Sequence, residues 1–242
     1  MAPRRLHSGW EMVYPAGSTY RVRADSVLRV ELPRLDPVNE GDLVLRAGAV
    51  SAMAMWSCEM FPLHAVGLHL PESVVAVFAP PGGGKSTLAA VALGNGARVQ
   101  GDDLLGLSRE GEIVSRAGSL RIEPAMAPAG FHPEFDLADG RGWYALPSPG
   151  RAQLGALLSL RRGASTSLTA VRGHRRLSHL LSAGFLSRFD PEVPPRWEEG
   201  LLDFCARLPM WELQVPDGLA DLRSAWPDIH SLLKQAVEGG AG

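Results

Sequence analysis

Residues Val77–Ala89 read VFAPPGGGKSTLA: an apolar run, two prolines, three glycines, a lysine, two hydroxyls and then a helix-forming segment. A strand followed by [A/G]xxxxGK[S/T] and a helix is an arrangement suited to holding a polyphosphate. The glycines let backbone N–H groups turn inward, and the helix N-terminus adds the positive end of its dipole. In this pattern Lys85 reaches the β- and γ-phosphates and the Ser86 hydroxyl reaches Mg2+. The first motif position is Ala79, tolerable where the backbone stays extended, whereas Gly82, Gly83 and Gly84 supply the unusual dihedrals. Pro80 and Pro81 carry no N–H, so the anion falls to the second half of the loop, Gly82 to Ser86 with Thr87 behind it. The competing reading is a flexible Gly/Pro turn.

Outward from the loop, AVGLHL and SVVAVF are β-rich runs separated by Pro71-Glu72, which predicts a hairpin whose second strand feeds the loop. STLAAVAL predicts a helix that stops at Gly94-Asn95-Gly96. ARVQ reads as a short strand, and LLGLSREGEIV as a hairpin turning at Glu110-Gly111. Pro124–Pro149 is rich in Pro, Gly and aromatics and too long for an ordinary connector, so it is expected to be a lid or a mobile segment. QLGALLSLRR fits a strand or a helix. LSHLLSAGFLSRF, RWEEGLLDFCARL and DLRSAWPDIHSLLKQAV read as helices, with MWELQV as a strand. Upstream, Trp10–Leu45 alternates apolar and charged residues, as small strands do. The expected division is a β-rich appendage over 1–50 and a main domain over 51–242.

Composition narrows the class. The 242 residues carry a formal net charge of −2 and no basic tract, which argues against a dedicated nucleic-acid surface, though Arg172–Arg176 is a local anion-site candidate. No segment has membrane length, so a cytoplasmic protein is expected. Cys58 and Cys205 lie far apart, outside any metal-site spacing, and both are expected to be buried. Of 24 basic residues only Lys85 and Lys234 are lysine, which singles out the loop position as one needing a compact ammonium.

Sixteen residues past Ser86 comes Gly101-Asp102-Asp103. Neighbouring residues of an extended chain point to opposite sides, so both carboxylates serve one site only if the chain turns, as Gly101 allows. A carboxylate near a γ-phosphate can accept the proton of an attacking hydroxyl. His64, in FPLHAVGLHL, is expected at the start of the strand beside the one entering the loop.

The order His64 in LHAVGL, hairpin, APPGGGKSTLA, short helix and RVQGDDLLGL resembles the catalytic domain of HPr kinase/phosphorylase and its short relatives. The resemblance covers about residues 60–110, and more softly QLGALLSLRR and MWELQVPDGLADL. It implies an α/β fold of the HPr kinase and phosphoenolpyruvate carboxykinase type, with a mixed central sheet, flanking helices and a small β-rich N-terminal part. By position it implies ATP and Mg2+ as cofactors, with Pro81, Gly82, Gly83, Gly84, Lys85, Ser86 and Thr87 at the phosphates. Ser86 and Asp103 would hold the metal, Asp102 would be the general base, His64 would stand near the aspartates, and Arg121 in SLRIEP would be a transition-state cation. The short relatives accompany ribosomal-peptide clusters, including those for lasso peptides. The expected activity is therefore γ-phosphoryl transfer to a serine of a peptide or small protein rather than of HPr. No EIRG-type signature is found, so reversal by phosphate is not expected. A nucleotide-binding regulator with little transfer, and a small-molecule kinase acting on a serine-like alcohol, are the alternatives. Homo-oligomerisation is left open.

Overall fold

The computed structural model describes residues 4–6, 9–13, 19–23, 29–31, 46–114, 118–146, 150–185 and 204–239. Within these, four short strands, β1 (Arg4–Leu6), β2 (Gly9–Val13), β3 (Thr19–Arg23) and β4 (Arg29–Glu31), form an antiparallel sheet in sequence order. Tyr20 and Val22 of β3 are fully buried against Val50, Met53 and Ala54. The last two belong to α1 (Ser51–Ser57), which continues a helical stretch over Arg46–Val50. The boundary expected after residue 50 thus falls inside a helical segment.

The main sheet runs β5 (Phe61–Leu63), β9 (Leu105–Leu107), β10 (Glu112–Val114), β14 (Arg151–Gly163), β7 (Val74–Phe78), β6 (Ala65–His69) and β8 (Val99–Gln100), with β16 (Met210–Pro216) pairing β14 and β15 (Ser167–Ala170) pairing β16. It is mixed: β14 lies parallel to both β7 and β16, while β6 is antiparallel to β7. The hairpin expected at Pro71-Glu72 is therefore present, as is the one at Glu110-Gly111.

QLGALLSLRR, ambiguous in sequence, lies within the thirteen-residue strand β14. As a central strand between parallel neighbours it has helices packed over both its faces, which is why its apolar run shows no helical or alternating signature. Its pairing with β7 steps from Leu154↔Val74 to Ala156↔Val75, so Gly155 is an extra residue, a β-bulge.

Side chains of β7 alternate cleanly between two cores. Val75 and Val77 join Leu158, Leu160, Leu213 and Val215 against α2 (Lys85–Gly94), α4 (Leu219–Ser224) and α5 (Trp226–Glu238). Val74, Ala76 and Phe78 join Phe61, Leu63, Leu105, Leu157 and Met210 against α3 (Arg175–Ala183). The architecture is a mixed sheet with helices on both faces, and helix α2 is buried on several sides, with Leu88, Ala89, Ala90, Val91 and Ala92 each at most 2 % exposed.

Several expectations change. Pro124–Pro149 is not an irregular connector: after a single 3-10 turn at Pro124–Met126 it contributes β12 (Phe135–Asp136) and β13 (Gly142–Leu146), which pair with each other and, through β13, with β11 (Gly118–Ile122). Tyr144 and Leu146 pack into the α2 core, and Phe131 stacks on Tyr144 with ring centroids 5.4 Å apart. Aromatic packing therefore replaces periodicity as the local organiser, and residues 147–149 lie outside the described residues. The expected C-terminal helix is two helices, separated at Ala225 ahead of Trp226-Pro227, since proline fits the first turn of a new helix and not the middle of an old one. Cys58 is exposed at the end of α1, whereas Cys205 is buried as expected. The segments 32–45, 186–189 and 196–203, where strand or helix was expected, lie outside the described residues. No helix among the described residues is long and apolar enough to cross a membrane.

Candidate functional site

The glycine loop spans the gap between the C-terminal end of β7 and the first residue of α2, Lys85. Its rim is exposed at Pro80, Pro81 and Gly82, and a Gly83 N–H to Pro80 carbonyl bond of 2.9 Å folds it back. Gly82 and Gly84 have φ of 76° and 91°, so the unusual dihedrals fall where the sequence pattern required them. Lys85 is only 6 % exposed; its Nζ donates to the Ala79 carbonyl and meets His64 Nε2, each at 3.2 Å. The ammonium is thus folded back across its own loop.

His64 sits in the one-residue gap between β5 and β6, just ahead of the strand it was expected to begin. Its Nδ1 lies 2.9 Å from the backbone carbonyl of Asp103. A carbonyl only accepts, which assigns the proton to Nδ1 and leaves Nε2 as the acceptor facing Lys85. One imidazole therefore ties the loop lysine to the aspartate turn.

That turn follows β8 and takes positive φ at Gly101 (64°) and at Asp103 (73°), the latter rare for a side chain other than glycine but tolerated by aspartate. The two carboxylates part as a result. Asp102, not Asp103, lies beside Ser86, whose hydroxyl donates to Asp102 Oδ2 at 2.7 Å. Asp103 instead forms an ion pair with Arg121 of β11.

Asp102 is 8 % exposed, and its Oδ1 is buried without a hydrogen-bond partner. Burial raises its carboxyl above the ordinary range, opposed by the Ser86 hydrogen bond and by the charges of Lys85 and Arg121. The Arg121 N–H adds the weakest pull and stays outside hydrogen-bond geometry with Oδ1. A buried carboxylate oxygen with no donor, beside a serine hydroxyl, is a donor set that suits a hard cation such as Mg2+. Ser86 and Asp102 are the residues that fit it.

His64, Lys85, Ser86, Asp102, Asp103 and Arg121 thus converge on one place. Thr87 does not join them: its hydroxyl faces Met126 Sδ at 3.9 Å, toward the 3-10 turn. One cation that sequence reading passed over does join. Arg162, at the C-terminal end of β14, lays its guanidinium against Gly84, with Cζ 2.6 Å and Nε 2.8 Å from the position a Cβ there would take. The signal that could have found it is general: in open α/β sheets ligands lie beyond the carboxyl ends of strands, and β14 is the parallel neighbour of the strand entering the loop.

Among the described residues, Arg172–Arg176 makes no hydrogen bond or ion pair with this cluster: it leads into α3 just after Val171, whose N–H bonds the Met210 carbonyl, and Arg176 donates to the Leu208 carbonyl. A cavity of about 430 Å³ lined by His69, Asn95, Arg98, Trp226 and His230 lies at the far end of α2 and shares no residue with the loop. Phosphate sites of the loop type are backbone cradles rather than deep hollows, so the chemistry is read from the cluster and not from that cavity.

No family model matches the sequence, and no curated protein matches it. Among solved structures, that of the Hpr(Ser) kinase/phosphatase from Coxiella burnetii is similar at 10 % identity with a TM-score of 0.36, covering 72 % of this chain and 98 % of that one. The likeness is distant and carries no functional inference.

Proposed function

We propose that this chain is an ATP- and Mg2+-dependent kinase that transfers a γ-phosphoryl group to a hydroxyl, that of a serine on a peptide or small protein. The carrying observation is the convergence of a glycine loop, its buried lysine and two divergent carboxylates at the C-terminal end of β7. The loop backbone over Gly82–Ser86 and Lys85 hold the donor phosphates. Bound between Ser86 and Asp102, Mg2+ would neutralise charge on the phosphates.

The family resemblance assigned the metal to Asp103 and the proton to Asp102; the Ser86–Asp102 contact favours the reverse. Asp103 is then the base: the acceptor oxygen bonds to the γ-phosphorus, the bond to the β–γ bridging oxygen breaks, and the acceptor proton passes to the Asp103 carboxylate. Arg121, paired with Asp103, holds that carboxylate in place and adds positive charge near the reacting group.

The test is incubation with Mg-ATP and serine-containing peptides, read by mass spectrometry. A phosphate mass shift on the peptide, absent in Lys85→Ala, is the expected result. Nucleotide binding without any phosphorylated product would replace the kinase reading with that of a nucleotide-binding regulator. Asp102→Asn is expected to remove the Mg2+ dependence of nucleotide binding, and Asp103→Asn to keep binding and lose transfer. The opposite pattern would restore the first assignment of the pair.

A further inference from the structure

We infer that Arg162 is a phosphate-contacting residue, a second cation that grips the β- and γ-phosphates opposite Lys85; this rests on the kinase reading above.

Three observations carry it. Along β14, Leu158 and Leu160 lie in the core beneath α2, and Arg162 comes two residues later on the same face. The face that begins as apolar core therefore ends as a guanidinium where α2 starts. Second, Arg162 has no carboxylate within ion-pair distance among the described residues, whereas its neighbour Arg161, on the other face, lies 3.7 Å from Glu212 and donates to Gln214. Third, the guanidinium is oriented. Its Nη1 donates to the Pro216 carbonyl at 3.0 Å, and Nη2 lies nearest Gly84, followed by Cζ and Nε. The Nε–Nη2 edge is the fork that matches two oxygens of a phosphate.

Gly84 is required twice over by this arrangement. Its φ of 91° disfavours a side chain, and any Cβ would collide with the guanidinium. The close approach of arginine to the loop is therefore built into both residues. Tethered at Nη1, Arg162 can offer its fork to the polyphosphate with little loss of rotamer freedom on binding.

The experiment measures Mg-ATP and Mg-ADP binding by calorimetry for the wild type, Lys85→Ala, Arg162→Ala, Arg162→Met, Arg162→Lys and Arg161→Met, with melting of each protein without nucleotide. Arg162→Met keeps the stem and removes the charge, so it answers the question even if Arg162→Ala folds poorly. At least about a tenfold loss of affinity is expected for Arg162→Met, the order of one charge-assisted phosphate contact. Partial recovery is expected in Arg162→Lys, and wild-type binding in Arg161→Met. Wild-type affinity in Arg162→Met, or an equal loss in Arg161→Met, overturns the assignment of Arg162 while leaving the kinase reading intact. If the wild type binds neither nucleotide, the kinase reading fails and the inference falls with it.

Discussion

A carboxyl raised by burial is a source of instability at neutral pH, and Asp102 makes this measurable. Its elevated folded value means that the native state holds the proton over a pH range in which the unfolded chain has released it. The associated stability is present below the ordinary carboxylate range and is lost as pH rises through the elevated value. Asp102→Asn should therefore melt higher than the wild type at neutral pH, by about 2–4 °C for each kcal/mol relieved, and the gap should close on acidification. Scanning calorimetry of the two proteins from acid to neutral pH checks this. At this scale the loop and the aspartate pair were legible because they are local in sequence, His64 entered through its place beside the strand feeding the loop, and Arg121 entered through resemblance. Which aspartate faces Ser86 was not legible. That direction depends on positive φ at Gly101 and Asp103, and alternation along a strand does not reveal it.

Elements position these residues through close backbone contacts. Gly118, at the start of β11, is one: a Cβ there would stand 2.6 Å from the Gly101 Cα and 3.0 Å from its N. These are backbone atoms and cannot swing aside. Gly118→Ala is expected to push on the aspartate turn, costing about 1–3 kcal/mol of stability as overpacking does. It should reduce phosphoryl transfer at least tenfold while the Mg2+-independent part of nucleotide affinity is kept, since neither the loop nor Lys85 is touched; paired melting and kinetic measurements decide it. Gly84→Ala should do the reverse at the loop, weakening nucleotide binding through strain and collision with Arg162. The elements next to the loop were readable because their turn residues are strong and their strands short. The strands within 124–149 were not, because they are held by stacked pairs such as Phe135–Trp143, at 5.5 Å, rather than by an alternating pattern.

For the molecule as a whole, the central strand links both cores to the site. Leu158 is fully buried in β14, and Leu158→Ala should cost about 2–5 kcal/mol through lost burial and a residual cavity. Saturating Mg-ATP should restore part of this: a ligand at a hundred times its dissociation constant adds about 2.7 kcal/mol to any folded state that binds it. A thermal-shift series should show that gain in Leu158→Ala as in the wild type and lose it in Lys85→Ala. The layered architecture itself was only half readable, because helices could be told from strands near the loop but not in QLGALLSLRR. One irregularity of that strand decides more than its size suggests. Leu154 and Arg162 stand an even number of positions apart, and an unbroken strand would point both to the same side. The extra residue at Gly155 reverses the parity, leaving Leu154 among the α3-side residues and Arg162 on the α2 side. Were Gly155 to take a regular place opposite Val75, every later side chain would turn over, and Arg161 would meet the loop instead. The sign of the charge at Gly84 would be unchanged, but the arginine there would be the one whose present neighbours are Glu212 and Gln214.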